Sequence, residues 1–133
     1  MILVDTSVWV LVLRDQTGGV VAAFRERVGS DVSVLSRFSE LELLQGCKNL
    51  REWGLLEDYL STQIYLEASK GTWREAARIY FDLRRKGITV GSPVDCCIAQ
   101  IALESGAVLL HCDQDFERIA KVRKLDEEYF SWQ

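Results

Sequence analysis

The chain is 133 residues long, 48% hydrophobic and 27% charged, with one proline, which excludes a disordered or proline-rich protein and fits one compact domain over residues 1–133. No apolar run approaches the roughly 20 residues that cross a bilayer, and Met1-Ile2-Leu3-Val4-Asp5 lacks the basic start of a signal peptide, so a cytoplasmic protein with no membrane partner is expected. Sixteen Lys and Arg against twenty Asp and Glu give a net charge of −4, unlike an autonomous DNA-binding domain, but four acids gathered on a divalent cation would leave the rest in balance.

In chain order, Ile2-Leu3-Val4 is an apolar run ended by Asp5-Thr6-Ser7, the pattern of a buried strand feeding a helix over Val8–Arg14. After Gly18-Gly19 a second helix reaches about Val28, Gly29-Ser30-Asp31 breaks it, and Val32–Leu35 is a second strand. Helical patterning follows over Phe38–Cys47 and Leu50–Leu60, with a weaker strand at Gln63–Leu66. Thr72-x-x-Glu75 has capping-box spacing and opens a helix that Gly87 closes. Ser92 as N-cap and Pro93 at the first helical position launch a helix to Glu104, stopped at Gly106. Ala107–Leu110 is an apolar strand ending near Asp113, a short helix spans Asp115–Lys121, and the tail around Tyr129-Phe130-Ser131-Trp132 fits no single element.

Short strands, apolar on both faces and alternating with helices, predict an α/β fold: a parallel sheet with helices on both sides. Ligands of such sheets bind outside the carboxyl ends of the strands. Asp5 and Asp113 fall there, while Glu42 and Asp95 sit on helices. Converging carboxylates repel unless a cation joins them, and hard oxygen ligands suit Mg²⁺ or Mn²⁺. Such a cation activates water and neutralises charge on a phosphate, which points to phosphodiester hydrolysis. Zinc is not expected: there is one histidine, His111, and no Cys-x-x-Cys pair among Cys47, Cys96, Cys97 and Cys112, which are expected to be reduced thiols.

Val4-Asp5-Thr6-Ser7, Glu42-Leu43-Leu44-Gln45-Gly46, Asp95-Cys96-Cys97-Ile98-Ala99 and Asp113-Gln114-Asp115-Phe116 together resemble the four ordered signatures of the PIN-domain ribonucleases, with the spacing and length of the VapC-type toxins of toxin-antitoxin pairs. The resemblance spans essentially the whole chain. It implies a PIN-like sheet, dependence on Mg²⁺ or Mn²⁺, cleavage of RNA, a homodimer and inhibition by a cognate antitoxin. Residue by residue it assigns Asp5, Glu42, Asp95 and Asp113 to the acidic quartet, the three aspartates to the metal, and Thr6 or Ser7 to the hydroxyl beside the first acid. Two positions depart from the pattern: His111 stands where the family has Thr or Ser, and Cys96 where it has a small Ala. Asp115 supports Asp113 or replaces it in the fourth role.

Each acid also has an ordinary structural role open to it. Asp5 and Asp113 can cap the helices that follow, and Asp95 suits a helix N-terminus. Ser39-x-x-Glu42 has capping-box spacing, and Glu40 competes with Glu42 from about 200° around the helix. The conjunction of four at one sheet edge favours metal. His111 fits a satisfied structural residue better than a general base, and Cys96 and Cys97 fit helix packing. Arg74, Arg78 and Arg85 form a solvated face, whereas Arg118, Lys121, Arg123 and Lys124 follow Asp113 and are better placed for RNA phosphate. Trp9, Val12 and Leu13 offer either core or an exposed face for an antitoxin or a second copy. The sequence thus predicts a metal-dependent endoribonuclease acting as a toxin. An idle PIN-like RNA- or protein-binding module is the alternative, and a phospho-acceptor role for Asp5 fits less well because no second acid stands at Ser7.

Overall fold

In the computed structural model, which describes residues 1–133, one or two helices separate each strand from the next. The order is β1 (Ile2–Val4), α1 (Thr6–Arg14), α2 (Gly19–Val28), β2 (Ser33–Ser36), α3 (Arg37–Gln45), α4 (Leu50–Ser61), β3 (Tyr65–Leu66), α5 (Thr72–Arg85), α6 (Pro93–Ser105), β4 (Val108–His111), α7 (Gln114–Ile119) and β5 (Glu127–Tyr129). The strands form one sheet, β3-β2-β1-β4-β5, with every pairing parallel. The chain steps outward from β1 to β3 and then returns to the other side of β1 as β4. The sheet's switch point therefore lies between β1 and β4, whose register pairs Ile2 with Val108 and Val4 with Leu110.

Alternation along each strand divides the core. Leu3, Val34 and Leu109 pack with Ala76, Ile79 and Leu83 of α5, Ile98 and Ile101 of α6, and Phe116 and Ile119 of α7. Ile2, Val4, Leu35 and Leu110 pack on the other face with Val8 and Trp9 of α1, Phe24 of α2, Leu43 of α3 and Leu60 of α4. Strands buried on both faces read as the continuous apolar runs seen in the sequence. No helix is long and apolar enough to cross a membrane.

Trp9 belongs to the core, 2% exposed, with its ring 5.4 Å from Phe24 and 6.0 Å from Tyr59; it is not part of an outer face, although Leu13 on the same helix is exposed. Trp9→Ala is expected to cost about 3 to 5 kcal/mol of stability in urea unfolding, because the cavity opens where α1, α2 and α4 meet. Two capping boxes expected from spacing are absent. Helix α5 starts at Thr72 itself, whose hydroxyl accepts the Ser69 N–H and donates to Glu104, so Glu75 has no cap to reciprocate. Helix α3 starts at Arg37 after Ser36, which puts Ser39 inside the first turn, where it cannot cap. Ser92, by contrast, caps α6 by accepting the Val94 N–H, with Pro93 at the first position.

An edge strand, β5, forms just before the tail and takes only Tyr129 of it, despite two consecutive glutamates, because tertiary partners take both: Arg27 Nε donates to Glu128 at 2.6 Å, and His111 holds Glu127. Register pairs Leu109 with Glu127 and His111 with Tyr129. All four cysteines are free thiols, with Cys96 buried in the α6 core.

Candidate active site

The acids gather at the carboxyl edge of the sheet around the switch point. Asp5 leaves β1 extended and becomes the N-cap of α1. Its Oδ2 accepts the Ser7 N–H at 3.0 Å and the Ser7 hydroxyl at 2.6 Å, and Ser7 Oγ in turn accepts the Cys112 N–H at 2.9 Å. One hydroxyl thereby ties the end of β1 to the residue after β4. Asp5 is 7% exposed, and burial pushes its carboxyl above the ordinary range against the two Ser7 hydrogen bonds, with Asp113 repelling it further.

Asp113 leaves β4 and caps α7, its Oδ1 accepting the Asp115 N–H at 2.9 Å. Asp5 and Asp113 therefore cap helices and stand among the clustered acids at once. Asp95, in the first turn of α6, has a carboxyl pushed up to about 7, first by burial and then by the negative charges of Asp113, Asp5 and Asp115. Oxygens of Asp95, Asp113 and Asp115 lie within 4.8 Å of one another, close enough to share one cation. Asp5 stands next to this trio, close enough to raise Asp95.

Asp115 is more engaged than a supporting role requires. Its Oδ2 accepts the Gly91 N–H at 2.8 Å and its Oδ1 the Arg118 guanidinium at 2.6 Å, so both oxygens are occupied within the protein. A cation would find freer oxygens on Asp95 and Asp113, with Asp115 bracing them. Arg118 is thus anchored beside the acids, and Lys121, one turn on, is exposed.

Glu42 stands at the rim, exposed, with Oε1 accepting the Thr6 hydroxyl at 3.1 Å; Thr6 Oγ1 also lies 2.9 Å from Ser39 Oγ. Partial burial, and then Asp5, raise its carboxyl while Thr6 opposes them. Glu40 turns to the other side and pairs with Arg37 at 3.2 Å. Ser39 is not a site candidate from sequence, because Ser-x-x-Glu spacing reads as a cap; the same spacing puts both side chains on one helix face, which here meets Thr6. Gly91, the amide that fixes Asp115, leaves no signal in the sequence beyond lying before the α6 cap.

The donor set is all carboxylate, with Asp95 raised to about 7 by burial and by the negative charges around it, and it fits a hard divalent cation rather than zinc or a redox metal. Asp113 and Asp5 hold fixed hydrogen bonds, so such a cation would meet preoriented ligands.

Comparison with known proteins shows the family and the fold. The PIN domain family matches residues 2–122. The chain is 35% identical over 134 aligned positions to the VapC ribonuclease Mb1587 of Mycobacterium bovis and, with the same figures, to ribonuclease VapC11 of Mycobacterium tuberculosis; the alignments cover 98% of this chain and 99% of each relative. In fold it is similar to the chain in the structure of VapBC2 from Rickettsia felis bound to a promoter DNA fragment (TM-score 0.79, 20% identity, 98% of this chain and 100% of that one). It is also similar to that in DNA-bound VapBC from Salmonella typhimurium (TM-score 0.79, 24% identity, 98% of each chain). With a family match from β1 through α7 and relatives alike from end to end, the chain belongs to the PIN-domain family, in its VapC group.

Proposed function

We propose that this protein is a divalent-metal-dependent endoribonuclease, the toxin of a VapC-type toxin-antitoxin pair, formed as a single catalytic domain over residues 1–133. The observation that carries the reading is the carboxylate cluster of Asp95, Asp113 and Asp115 at the β1/β4 switch point, with Asp5 beside it and Glu42 at the rim. Asp5, Asp95 and Asp113 would hold Mg²⁺ or Mn²⁺, and Glu42 would complete the acidic pocket. A divalent cation so held supplies charge neutralisation at the scissile phosphate and a more acidic water.

The chain's own residues do the rest. Ser7 fixes the carboxylate of Asp5, Thr6 and Ser39 orient Glu42, and Gly91 and Arg118 brace Asp115. Asp95 gives up its proton when the cation site is filled. Arg118, positioned beside the acids by Asp115, and exposed Lys121 take RNA phosphates, single-stranded or in structured RNA. No side chain acts as nucleophile.

The relatives named VapC and the fold shared with VapBC complexes support a protein antitoxin as partner. Exposed Leu13, Leu41, Trp53, Leu55 and Trp73 supply apolar surface for that antitoxin and for a second copy in a homodimer. The protein acts in the cytoplasm, its four cysteines as free thiols.

The test is incubation of purified protein with mixed cellular RNA. Cleavage is expected with Mg²⁺ or Mn²⁺ and none with EDTA. Cleavage undiminished by EDTA would refute metal dependence. Intact RNA under both conditions, together with no calorimetric uptake of Mn²⁺, would instead identify an idle PIN-like binding module.

A further inference from the structure

His111 is the last residue of β4, two before Asp113. The ring is fully buried, lying 5.0 Å from Phe116 and 5.6 Å from Tyr129. Both nitrogens are used. Nδ1 lies 3.1 Å from the Asp113 backbone nitrogen, whose N–H it accepts, so Nδ1 carries no proton. The proton is therefore on Nε2, which donates to Glu127 Oε1 at 2.7 Å. Backbone pairing holds the same place from outside, with the Phe130 N–H donating to the His111 carbonyl at 2.7 Å.

We propose that His111 is a positioning residue for Asp113, and that Glu127 on the edge strand β5 keeps its Nδ1 lone pair turned to the Asp113 amide. The proposal rests on Asp113 being one of the proposed metal-binding acids. With the amide held by the ring and Oδ1 held by the Asp115 N–H, Asp113 keeps Oδ2 aimed without an entropic search. Ser7 does the parallel work one residue earlier, taking the Cys112 N–H, so two successive amides leaving β4 are each clamped by a side chain. Were the tautomer reversed, an N–H would face an N–H at Asp113 and Glu127 would face a lone pair, so both hydrogen bonds would break together. Glu127 thereby joins the carboxyl-terminal edge of the sheet to the site.

Two variants separate positioning from packing. In His111→Asn the amide oxygen takes the place of Nδ1 and accepts the N–H two residues on; in His111→Gln the longer amide reaches toward Glu127 but offers Asp113 no acceptor. His111→Gln is expected to weaken Mn²⁺ binding in calorimetry by about tenfold or more and to lower kcat more than it raises KM, while His111→Asn stays within about threefold. Equal losses in the two would reduce His111 to packing and overturn the proposal.

Nitrogen-15 spectra of the wild-type ring are expected to show the Nε2–H tautomer; an Nδ1–H tautomer also overturns it. Should the buried substitutions fail to fold, Glu127→Leu at the half-buried edge decides. It is expected to release the tautomer preference and weaken Mn²⁺ binding several-fold, and an unchanged tautomer and affinity would refute the role of Glu127. If the wild-type protein takes up no Mn²⁺, the nuclease reading falls. The wild-type tautomer and the exchange protection of the Asp113 amide, expected to be lost in His111→Gln and kept in His111→Asn, then still decide for or against His111.

Discussion

Asp5→Asn is expected to slow RNA cleavage by about 100-fold or more while the protein melts, in EDTA, at the same temperature or higher. The carbonyl of Asn can still accept the Ser7 N–H and hydroxyl that Oδ2 now takes, and Asn caps helices about as well as Asp, so α1 keeps its start. What disappears is one negative charge from a cluster in which Asp113 already pushes Asp5 up and Asp5 pushes Asp95 up. Metal loses a ligand while the metal-free protein loses a repulsion. Cleavage rates, Mn²⁺ titration and thermal melts on the two proteins check all three statements. A variant that cuts RNA at the parental rate would leave Asp5 as a helix cap only.

The second large effect is a stability profile that runs opposite to that of most acidic groups. In the unfolded chain Asp95 releases its proton near 3.8, but in the folded, metal-free protein it holds it to about 7. Between those values the folded state binds more protons than the unfolded state. The Asp95 contribution to stability in EDTA is therefore fully present below about 4 and falls as pH rises toward 7, with a slope of at most about 1.4 kcal/mol per pH unit from this one group. Asp5 and Glu42, also raised, act in the same direction. Asp15, held low by the Val21 N–H, Glu67, held by Arg37, and Asp82, held by Arg78 and Arg123, lose their contributions only as pH drops through the lower carboxylate range, so they shape the acid limb. Saturating Mn²⁺ should cancel the fall by keeping the carboxylate ionised in the folded state. Asp95→Asn should flatten the same limb without metal and melt higher at pH 7. Melts across pH 4 to 8, with and without Mn²⁺, give the answer; a flat metal-free profile for the wild type would show that Asp95 shares no buried charge.

Most elements are legible because each carries a local signal. The apolar runs of β1, β2 and β4 are those of strands buried on both faces, and Gly29, Gly87 and Gly106, all at positive φ, mark helix ends in sequence as in structure. Strand β5 is not legible, since Glu127-Glu128 contradicts strand propensity and is held only by His111 and Arg27 from distant parts of the chain. Both failed capping boxes share one cause: spacing does not say where a helix begins, and at Thr72 and Ser39 a tertiary partner takes the hydroxyl. At the site, the acids can be nominated from their places after strands and at helix starts, and the structure turns Glu42 rather than Glu40 toward Thr6. The clamps on those acids, Ser7 to Cys112, Gly91 to Asp115 and His111 to Asp113, join backbone amides to side chains and leave no pattern in sequence.

The strand order has a consequence for synthesis. Because β4, which lies beside β1, follows β2 and β3 in the chain, Asp5 waits for a partner made more than a hundred residues later, and His111 waits a further 16 residues for Glu127. A nascent chain emerging from the ribosome can build the β1-β2-β3 half and its four helices without assembling the acidic cluster. The acidic cluster is therefore completed only when the carboxyl-terminal part of the chain has been made.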